Sequence, residues 1–445
     1  MQFPHIICSL VLIMGLIGCG QASGPQLESA SPPHLTISPE ATESERCRSL
    51  KLADELAASL DLTNPLAMML WSDVGQLAAR SGDLEMAKRI LRTWEHNRHA
   101  PLAIMARARI SIALAGALAS RDLTQEAEQI ANEIPVFMPD QQCAAFSEMA
   151  KAREARNDRE AATRYWKEAR RLAEADQDAE QRSESELMII RSLVDGGRID
   201  EAKKLAAELE ARHSDQRGWG PIAAQMALNG DTETAEQLVQ AKLGGLNSQL
   251  YQFIEAVAPH GNFVVGRTAL QEINDPMTAA MACHLLAVSM ARRGHKDLAG
   301  AQLKESWSFF DQAKADATDS GRTLVSSIDP MAVLAGIDAT LPACQELEKT
   351  FAPHLAAEAY RKLAEHCPQE RKEDIVRFLD HAERLAGKVQ DPVFRVACFQ
   401  HISRSRSALL GEESALESAK KLSAALDRGY AFLGTAEGKL LPDLK

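Results

Sequence analysis

The chain has 445 residues, of which 45% are hydrophobic and only 5% aromatic, and its formal net charge at pH 7 is −12. A phosphate backbone or an anionic lipid surface would repel an acidic protein, so we expect neither nucleic-acid binding nor direct adhesion to a membrane surface. The low aromatic content and the many alanines favour close packing between helices over a bulky globular core.

The first residues carry a short apolar run, Ile6 to Gly18, which suits the core of an export signal and is too short to span a membrane. The run ends in Leu16-Ile17-Gly18-Cys19, which resembles a bacterial lipobox. That resemblance implies that the Cys19 sulfur receives a diacylglycerol and that Cys19 becomes the first residue of the mature chain. Met1 to His5 departs from such signals because it contains no Lys or Arg. The alternative is a buried apolar helix at the start of the chain.

Residues 20–42 are rich in Ser, Pro, Gly, Glu and Gln and hold few large apolar side chains, so they cannot bury enough surface to fold. A flexible chain of about 23 residues spans on average ~25–30 Å, which is enough to hold a folded body clear of lipid head groups. We therefore expect a signal over 1–19, a tether over 20–42 and one domain over 43–440. The lipid alone would attach this domain to the bacterial cell envelope, facing the periplasm or the exterior.

From residue 65 to residue 306 the chain repeats seven times the pattern of a helix, a tight turn and a second helix. Each turn holds a glycine, an asparagine or an aspartate, the residues that best tolerate a left-handed backbone. A side chain no larger than alanine stands five residues after the turn, and apolar residues stand eight before it and nine after it. The turn residues are Gly82, Asp122, Asn157, Gly197, Gly230, Gly261 and Gly294.

Successive turns are 31 to 40 residues apart, which is the period of solenoids made from helix pairs. The unit from Trp71 to Leu91 resembles the tetratricopeptide repeat in its tryptophan, glycine and alanine positions, and the unit from Trp219 to Val239 keeps the opening tryptophan. The other units lose that tryptophan, and all seven lack the usual tyrosine. The resemblance implies an all-α fold, a right-handed α-α superhelix of helix pairs. A HEAT-like or unclassified superhelix is the alternative.

Four pairs of residues predict helix starts, because an Asn or Asp caps a helix and a proline fits its first position. They are Asn64-Pro65, Asp275-Pro276, Asp329-Pro330 and Asp391-Pro392. No run shows sustained two-residue alternation, so we expect essentially no sheet.

The repeat pattern weakens beyond Ser306, and residues 311–329 predict a longer connection between repeats. Helical patterns resume over residues 355–367, 373–385, 393–409 and 413–426. We expect these to form divergent repeats within 330–430, because terminal repeats are often atypical. Residues 434–445 predict a frayed end.

Six cysteines follow Cys19 in the chain. Distant repeats of a solenoid do not meet, so only Cys344 with Cys367 comes into consideration as a disulfide. Cys283 stands at the repeat position of Trp71 and Trp219, which predicts a buried thiol.

The chain contains no serine-hydrolase, zinc-protease, phosphate-loop or calcium-loop motif. His96 and His99 have the spacing of one helix face but lack a third ligand for a metal. We therefore expect no catalysis, no metal and no cofactor.

Residues 13, 10, 6, 3 and 2 positions before each turn lie on the face of the first helix opposite to its packed side. In tetratricopeptide proteins that face lines a concave groove which holds partner peptides. Carried over by position, the resemblance places a set with six basic side chains in such a groove, against the acids Glu154, Glu184, Asp195 and Glu255 on the same face, and an ordinary solvated face is the alternative. The set is Arg80, Arg109, Lys151, Arg191, Arg217, Tyr251, His284 and Arg292.

Together these features predict a non-catalytic, lipid-anchored scaffold that binds a protein or peptide partner. One alternative is an enzyme on an α-α solenoid or toroid that acts on envelope polysaccharide, which would need carboxylates converging in a deep cleft. Another is a structural self-assembly module, which would expose an apolar patch of roughly several hundred Å².

Overall fold

The computed structural model describes residues 47–61, 63–93, 101–213, 216–313 and 317–440, and every regular element in these ranges is a helix. The predicted all-α helical-repeat fold is confirmed. Cys19, the signal and the tether over 20–42 lie outside the described residues, as do His96 and His99. The α-helices are α1 (Arg48–Ser59), α2 (Pro65–Arg80), α3 (Leu84–Thr93), α4 (Pro101–Ala119), α5 (Thr124–Asn132), α6 (Pro139–Glu154), α7 (Arg159–Ala175), α8 (Ala179–Asp195), α9 (Ile199–His213), α10 (Trp219–Leu228), α11 (Thr232–Leu238), α12 (Asn247–Val257), α13 (Phe263–Gln271), α14 (Pro276–Arg292), α15 (Lys296–Gln312), α16 (Ala317–Ala335), α17 (Ile337–Thr350), α18 (Pro353–Glu365), α19 (Lys372–Ala386), α20 (Pro392–Leu410), α21 (Glu412–Lys420) and α22 (Ala425–Leu440).

All seven predicted turn residues adopt the left-handed backbone conformation, with φ between 60° and 89°. Asp122 and Asn157 do so without being glycine, as these residue types can. In each turn the next residue donates its amide to the carbonyl five positions earlier, as Asp83 does to Ala78 at 2.8 Å. This bond closes the first helix and sets the direction in which the second helix starts.

The core positions predicted from the repeat are buried. The apolar residues eight before and nine after each turn are at most 4% exposed. Five residues after the turn, six alanines are fully buried and Gly266 takes the seventh place. A Cβ atom on Gly266 would lie 2.9 Å from Cδ2 of Leu286, so glycine there permits the closest approach of two helices. The register of the repeat is therefore confirmed.

Three of the four predicted helix starts are confirmed. The side chains of Asn64, Asp275 and Asp391 accept hydrogen bonds of 2.8–2.9 Å from backbone amides of the first turn. In each case the following proline occupies the start of the helix. The fourth prediction is wrong, because Pro330 lies inside α16 and not at a helix start.

The predicted connection over residues 311–329 is also wrong, since α15 reaches Gln312 and α16 begins at Ala317. The stretch looks poorly periodic because it contains several serines, yet the hydroxyls of Ser326 and Ser327 bond to carbonyls three residues earlier at 2.7 Å. Leu324 and Ile328 give the helix a buried apolar face. Burial of that face offsets the backbone hydrogen bond that Pro330 removes.

The contacts group the described residues into two compact units. The central unit covers 54–330 and contains all seven turns; the terminal unit combines 47–53 with 331–440. The expected single domain over 43–440 stays a prediction. In the central unit each first helix packs beside the next one, in the order α2, α4, α6, α8, α10, α12 and α14.

Helix α4 contains a stretch, Leu102–Ala119, that is long and apolar enough to cross a membrane by length and composition alone. Half of this stretch is buried, and α4 packs against α2 and α6. These are also the properties of a core helix in a folded repeat.

In the terminal unit the predicted helical segments after residue 355 correspond to α18, α19, α20 and α21, while α17 was not predicted. The predicted frayed end is wrong as far as Leu440, because α22 packs closely against α20. A Cβ atom on Gly434 would overlap the carbonyl oxygen of Gln400, so this glycine permits the contact.

The six described cysteines are free, so the considered pair Cys344 and Cys367 does not form a disulfide. Cys283 is fully buried, as predicted from its repeat position. Burial raises the pKa of Cys143, Cys283 and Cys344 to about 12. Such thiols stay protonated at neutral pH and are poor nucleophiles.

Candidate functional site

The predicted binding face is the exposed side of the first helices in the central unit, and direct packing fixes the register between neighbours. Ser72 on α2 donates its hydroxyl to the carbonyl of Ala106 on α4 at 3.2 Å. A Cβ atom on Gly116 of α4 would lie 3.2 Å from Cβ of Glu148 on α6. Side chains on adjacent first helices are therefore held at fixed relative positions.

Arg109 and Arg80 of the predicted set lie near one carboxylate, that of Asp73 on α2. The Arg109 guanidinium forms an ion pair with Asp73 Oδ1 at 3.2 Å, and Gln76 donates to the same oxygen at 3.2 Å. Burial raises the pKa of Asp73, whereas the charges of Arg109 and Arg80 act to lower it. Both arginines are exposed, but part of their charge is offset by this half-buried acid.

Lys151 on α6 joins two helices through its ammonium group, which lies 3.1 Å from Glu148 on the same helix and 3.1 Å from Asp195 on α8. Burial lowers the pKa of Lys151, but these two carboxylates outweigh it and raise the pKa above its ordinary value. Arg217, just before α10, forms a further ion pair with Glu184 on α8. Ion pairs between neighbouring repeats thus offset much of the positive charge predicted for this face.

Arg191 and Arg292 are exposed, and within the described part of the chain neither forms an ion pair. Tyr251 is half-buried; burial raises the pKa of its hydroxyl, and the nearby Glu255 adds to the shift. These residues remain available on the surface where the repeat positions place them.

His284 is not on this face, and its assignment there is wrong. It is only 3% exposed, and its two ring nitrogens lie 2.7 Å from the Ser326 hydroxyl and 2.9 Å from the Ser306 hydroxyl. Ser326 belongs to α16, whose Thr323 also donates its hydroxyl to the sulfur of Met277 on α14. His284 therefore ties α14 to α15 and α16.

Three arginines directly before turn residues form contacts that the sequence did not predict. Arg121 donates to the carbonyl of Gly82 at 3.0 Å, and Arg156 donates to that of Ser120 at 2.9 Å. Arg293 likewise donates to the carbonyl of Pro259 at 2.9 Å. Each arginine reaches the turn of the preceding repeat, where a cation suits the negative end of a helix. In the sequence, an arginine directly before the turn residue could have indicated these contacts.

A cavity of about 900 Å³ also escaped prediction. It lies between the second helices α5 and α7, with Phe146 of α6 and Tyr165 of α7 among its lining residues. These two rings are 6.1 Å apart, and the Tyr165 hydroxyl donates to Glu128 at 2.9 Å. The charged residues of its lining are three acids and three bases: Glu128, Glu160, Glu168, Arg164, Lys167 and Arg171.

No group of three or more His, Cys, Asp or Glu side chains that could hold a metal ion occurs among the described residues.

No protein-family model matches the chain. No curated protein matches it. A solved structure described as "Circular tandem repeat protein with novel repeat topology and enhanced subunit contact surfaces" aligns over 88% of this chain and 98% of that chain. The two are 14% identical, with a TM-score of 0.21. So low a score supports no inference about sites or assembly.

Proposed function

We propose that the protein is a lipid-anchored, non-catalytic interaction scaffold of tetratricopeptide-like repeats in the bacterial cell envelope. It binds a segment of a partner protein along the exposed face of the first helices. The observation that supports this most directly is that ion pairs between neighbouring first helices hold the charged side chains of this face in place. Side chains that are already ordered lose less entropy when a partner binds.

Arg191 is the residue expected to contact the partner most directly, because it lies between the paired charges of Lys151 and Arg217 and is exposed. Its replacement by alanine leaves the Lys151 pairs and the Arg217 pair intact. Partner recovery after crosslinking in intact cells should therefore fall for Arg191→Ala without a change in thermal stability. Partner recovery should fall further for the triple variant Arg109→Ala, Lys151→Ala, Arg191→Ala. The difference between variant and wild type should be smaller at high salt, which screens the charges.

A matched control removes the same charge from the second helices, through Lys204, Lys296 and Lys304→Ala, all of which are exposed. This variant should recover the same partners as the wild type. If the first-helix variants recover the same partners as the wild type at low salt, the partner does not bind the exposed face of the first helices.

The lipid anchor is tested separately at Cys19. Cys19→Ala should abolish labelling by a fatty-acid analogue and move the protein from the membrane fraction to the soluble fraction. A variant that still floats with membranes and still carries label would show that Cys19 is not the site of lipid attachment.

A further inference from the structure

Two neighbouring turns of the central unit, the one before α13 and the one before α15, are joined by direct contacts. The Arg293 guanidinium donates to the carbonyl of Pro259 at 2.9 and 3.3 Å. The rings of Phe263 and His295 meet edge to face, with their centroids 5.7 Å apart. The two turns therefore form one surface. We call residues 259–267 together with residues 292–298 the turn patch.

The turn patch exposes two large apolar side chains. Val264 on α13 is 73% exposed and Leu298 on α15 is 52% exposed, which are high values for residues of this kind. Each lies in the first turn of its helix, and both helices start at the edge of the central unit where the turns lie. The two apolar side chains are therefore presented to solvent at the same edge.

Four cations accompany these side chains. Arg267, Arg292, Arg293 and Lys296 are all exposed, and none of them forms an ion pair with any residue that the structure describes. The acidic residues of the turn patch number one, Asp297. With histidine counted as neutral, the turn patch thus carries three net positive charges, in a chain whose net charge is −12.

Acidic residues of the neighbouring repeats limit the extent of this positive region. The turn at Gly230, one repeat earlier, carries the exposed acids Asp231 and Glu233. Glu236 on α11 and Glu255 on α12 are closer in the chain, yet neither pairs with a cation among the described residues. Packed helices lie ~8–10 Å apart, which is about one Debye length at physiological salt. The acids of the earlier repeat therefore act only weakly on an ion bound at the turn patch.

Exposed apolar side chains together with unpaired cations are typical of surfaces that bind an anionic membrane. The cations attract lipid phosphates, and the apolar side chains enter the boundary between head groups and acyl chains. A lipid surface accepts protruding apolar side chains without a matching pocket, whereas a protein partner has to provide one. The repulsion expected from the net charge of the whole chain is screened by salt beyond about 8 Å, so the local charge decides at contact.

We propose that the turn patch binds the surface of an anionic phospholipid membrane. Val264 and Leu298 enter the boundary below the head groups, while the four cations approach lipid phosphates. The turn patch would thus give the protein a second, direct attachment beside the proposed lipid at Cys19, and the two attachments together would fix the orientation of the central unit. The contact itself depends neither on that lipid nor on partner binding along the first helices.

Flotation with vesicles tests the charge of the turn patch. The chain from residue 19 with Cys19→Ala has neither signal nor lipid, and it should float with vesicles of phosphatidylglycerol and phosphatidylcholine but not with phosphatidylcholine alone. Arg267→Glu with Lys296→Glu should weaken this binding at least about tenfold. The matched control, Lys167→Glu with Lys204→Glu, makes the same charge change at exposed positions outside the turn patch and should bind normally. No flotation with anionic vesicles at low salt, or an equal loss in the control, overturns the proposal.

The apolar side chains are tested in the same assay. Val264→Ser with Leu298→Ser should also weaken flotation with anionic vesicles about tenfold or more. The control, Val136→Ser with Phe137→Ser, removes two apolar side chains that are 85% and 73% exposed outside the turn patch, and it should leave flotation unchanged. Thermal melts show that each variant is folded. Flotation that survives the loss of both Val264 and Leu298 contradicts their insertion.

A polarity-sensitive dye locates the membrane contact directly. The described native cysteines are buried or half-buried, so labelling at neutral pH favours a new exposed thiol. With anionic vesicles, the emission of a dye on Val264→Cys should move to shorter wavelength, whereas that of a dye on Phe137→Cys should not. Equal shifts at the two positions, or no shift at Val264→Cys, would show that the turn patch does not face the membrane.

Discussion

The carboxylate of Glu412 accepts hydrogen bonds from the backbone amide and the hydroxyl of Ser49, at 2.9 and 2.8 Å, although Ser49 lies 363 positions earlier in the chain. Ser49 belongs to the first turn of α1, where backbone amides lack partners within the helix. Glu412 therefore supplies from α21 the acceptor that a capping residue usually supplies from the helix itself. Lys439 holds the other carboxylate oxygen at 2.6 Å.

Replacing this acceptor should loosen the start of α1. Glu412→Ala removes hydrogen bonds to a charged group, which are worth about 1.5–3 kcal/mol each when formed in a protein. We expect faster amide exchange over residues 48–53 with little change elsewhere. Glu413→Ala is the control, because its ion pair with Arg48 is exposed and worth about 0–1 kcal/mol. Equal exchange in the two variants would contradict the assigned role.

The same contact should depend on pH. Burial raises the pKa of Glu412, but Lys439 and Ser49 outweigh it and lower the pKa from 4.5 to about 2. A carboxylate whose pKa is lowered by folding stabilises the folded state at pH values above its ordinary pKa. That stabilisation is lost as the pH falls toward the pKa of the group in the folded protein. Protection of residues 48–53, corrected for intrinsic exchange, should therefore fall between pH 4.5 and 2 in the wild type. In Glu412→Ala this component of the pH dependence should disappear.

Replacing two helical glycines by alanine should change the free energy of unfolding in opposite directions. Gly434→Ala places a methyl group against the backbone carbonyl of Gln400, and overpacking of this kind costs about 1–3 kcal/mol. Gly300 on α15 has open space around its missing side chain, so Gly300→Ala should stabilise by roughly 0.5–1 kcal/mol. Thermal melts followed by circular dichroism compare the two. A Gly434→Ala protein that melts like the wild type would refute the close contact of α20 and α22.

Ala202 and Ala235 mark the small-residue position of the repeat and are fully buried. Leucine at either place should lower the melting temperature, since inserting three carbons into a packed helix interface costs about 1–3 kcal/mol. Ala211→Leu provides the control, because Ala211 lies on the same helix as Ala202 and is exposed. An equal loss of stability for Ala211→Leu would show that side-chain size at the interface is not the cause.

Glu186 occupies the repeat position that Trp71 and Trp219 occupy, and its side chain is 1% exposed. A guanidinium nitrogen of Arg212 lies 2.8 Å from Glu186 Oε1 and forms an ion pair with it. Within the described part of the protein, however, neither carboxylate oxygen of Glu186 accepts a hydrogen bond. Arg212→Ala should destabilise by about 1–3 kcal/mol, because it removes the counter-charge of a buried acid.

The double change Glu186→Met, Arg212→Met removes both charges from this site. Replacing a buried ion pair with apolar residues is often neutral or stabilising, so the double variant should be at least as stable as the wild type. Urea denaturation of the wild type, single variant and double variant measures both effects. A double variant that is less stable than the wild type would show that the ion pair itself stabilises the fold.

The sequence predicted the turns because a left-handed backbone restricts residue type, and Gly82, Asp122 and Asn157 show that restriction directly. It predicted the buried positions because helix periodicity fixes which side of each helix is apolar. It failed at residues 317–335, where serines that bond within their own helix resemble a loop. That failure led to the second one, the assignment of His284 to the exposed face, since Ser326 of the unrecognised helix hydrogen-bonds to the His284 ring.

The candidate face was predictable in position but not in charge. Counting from the turn places Lys151 and Arg191 on the outward side of their helices, and in the structure Lys151 is half-buried and Arg191 exposed. Whether each cation has a partner depends on the distance between repeats, which the pattern within one repeat does not contain. Asp195 therefore pairs with Lys151 while Arg191 stays exposed. The cavity escaped prediction for the same reason, because it lies between helices of different repeats.

The arginine contacts at the turns give this part of the stack a direction. Arg121, Arg156 and Arg293 each donate backward, to a carbonyl of the repeat that comes before. When a repeat that carries such an arginine opens locally, its predecessor loses a hydrogen-bond donor at its turn. The repeat after Arg156 has a glycine, not an arginine, directly before its turn residue Gly197, so the turn at Gly197 depends on no bond of this kind. A disturbance at Arg156 should thus spread toward the turn at Asp122 more readily than toward the turn at Gly197, so hydrogen exchange after a local perturbation should be asymmetric along the chain.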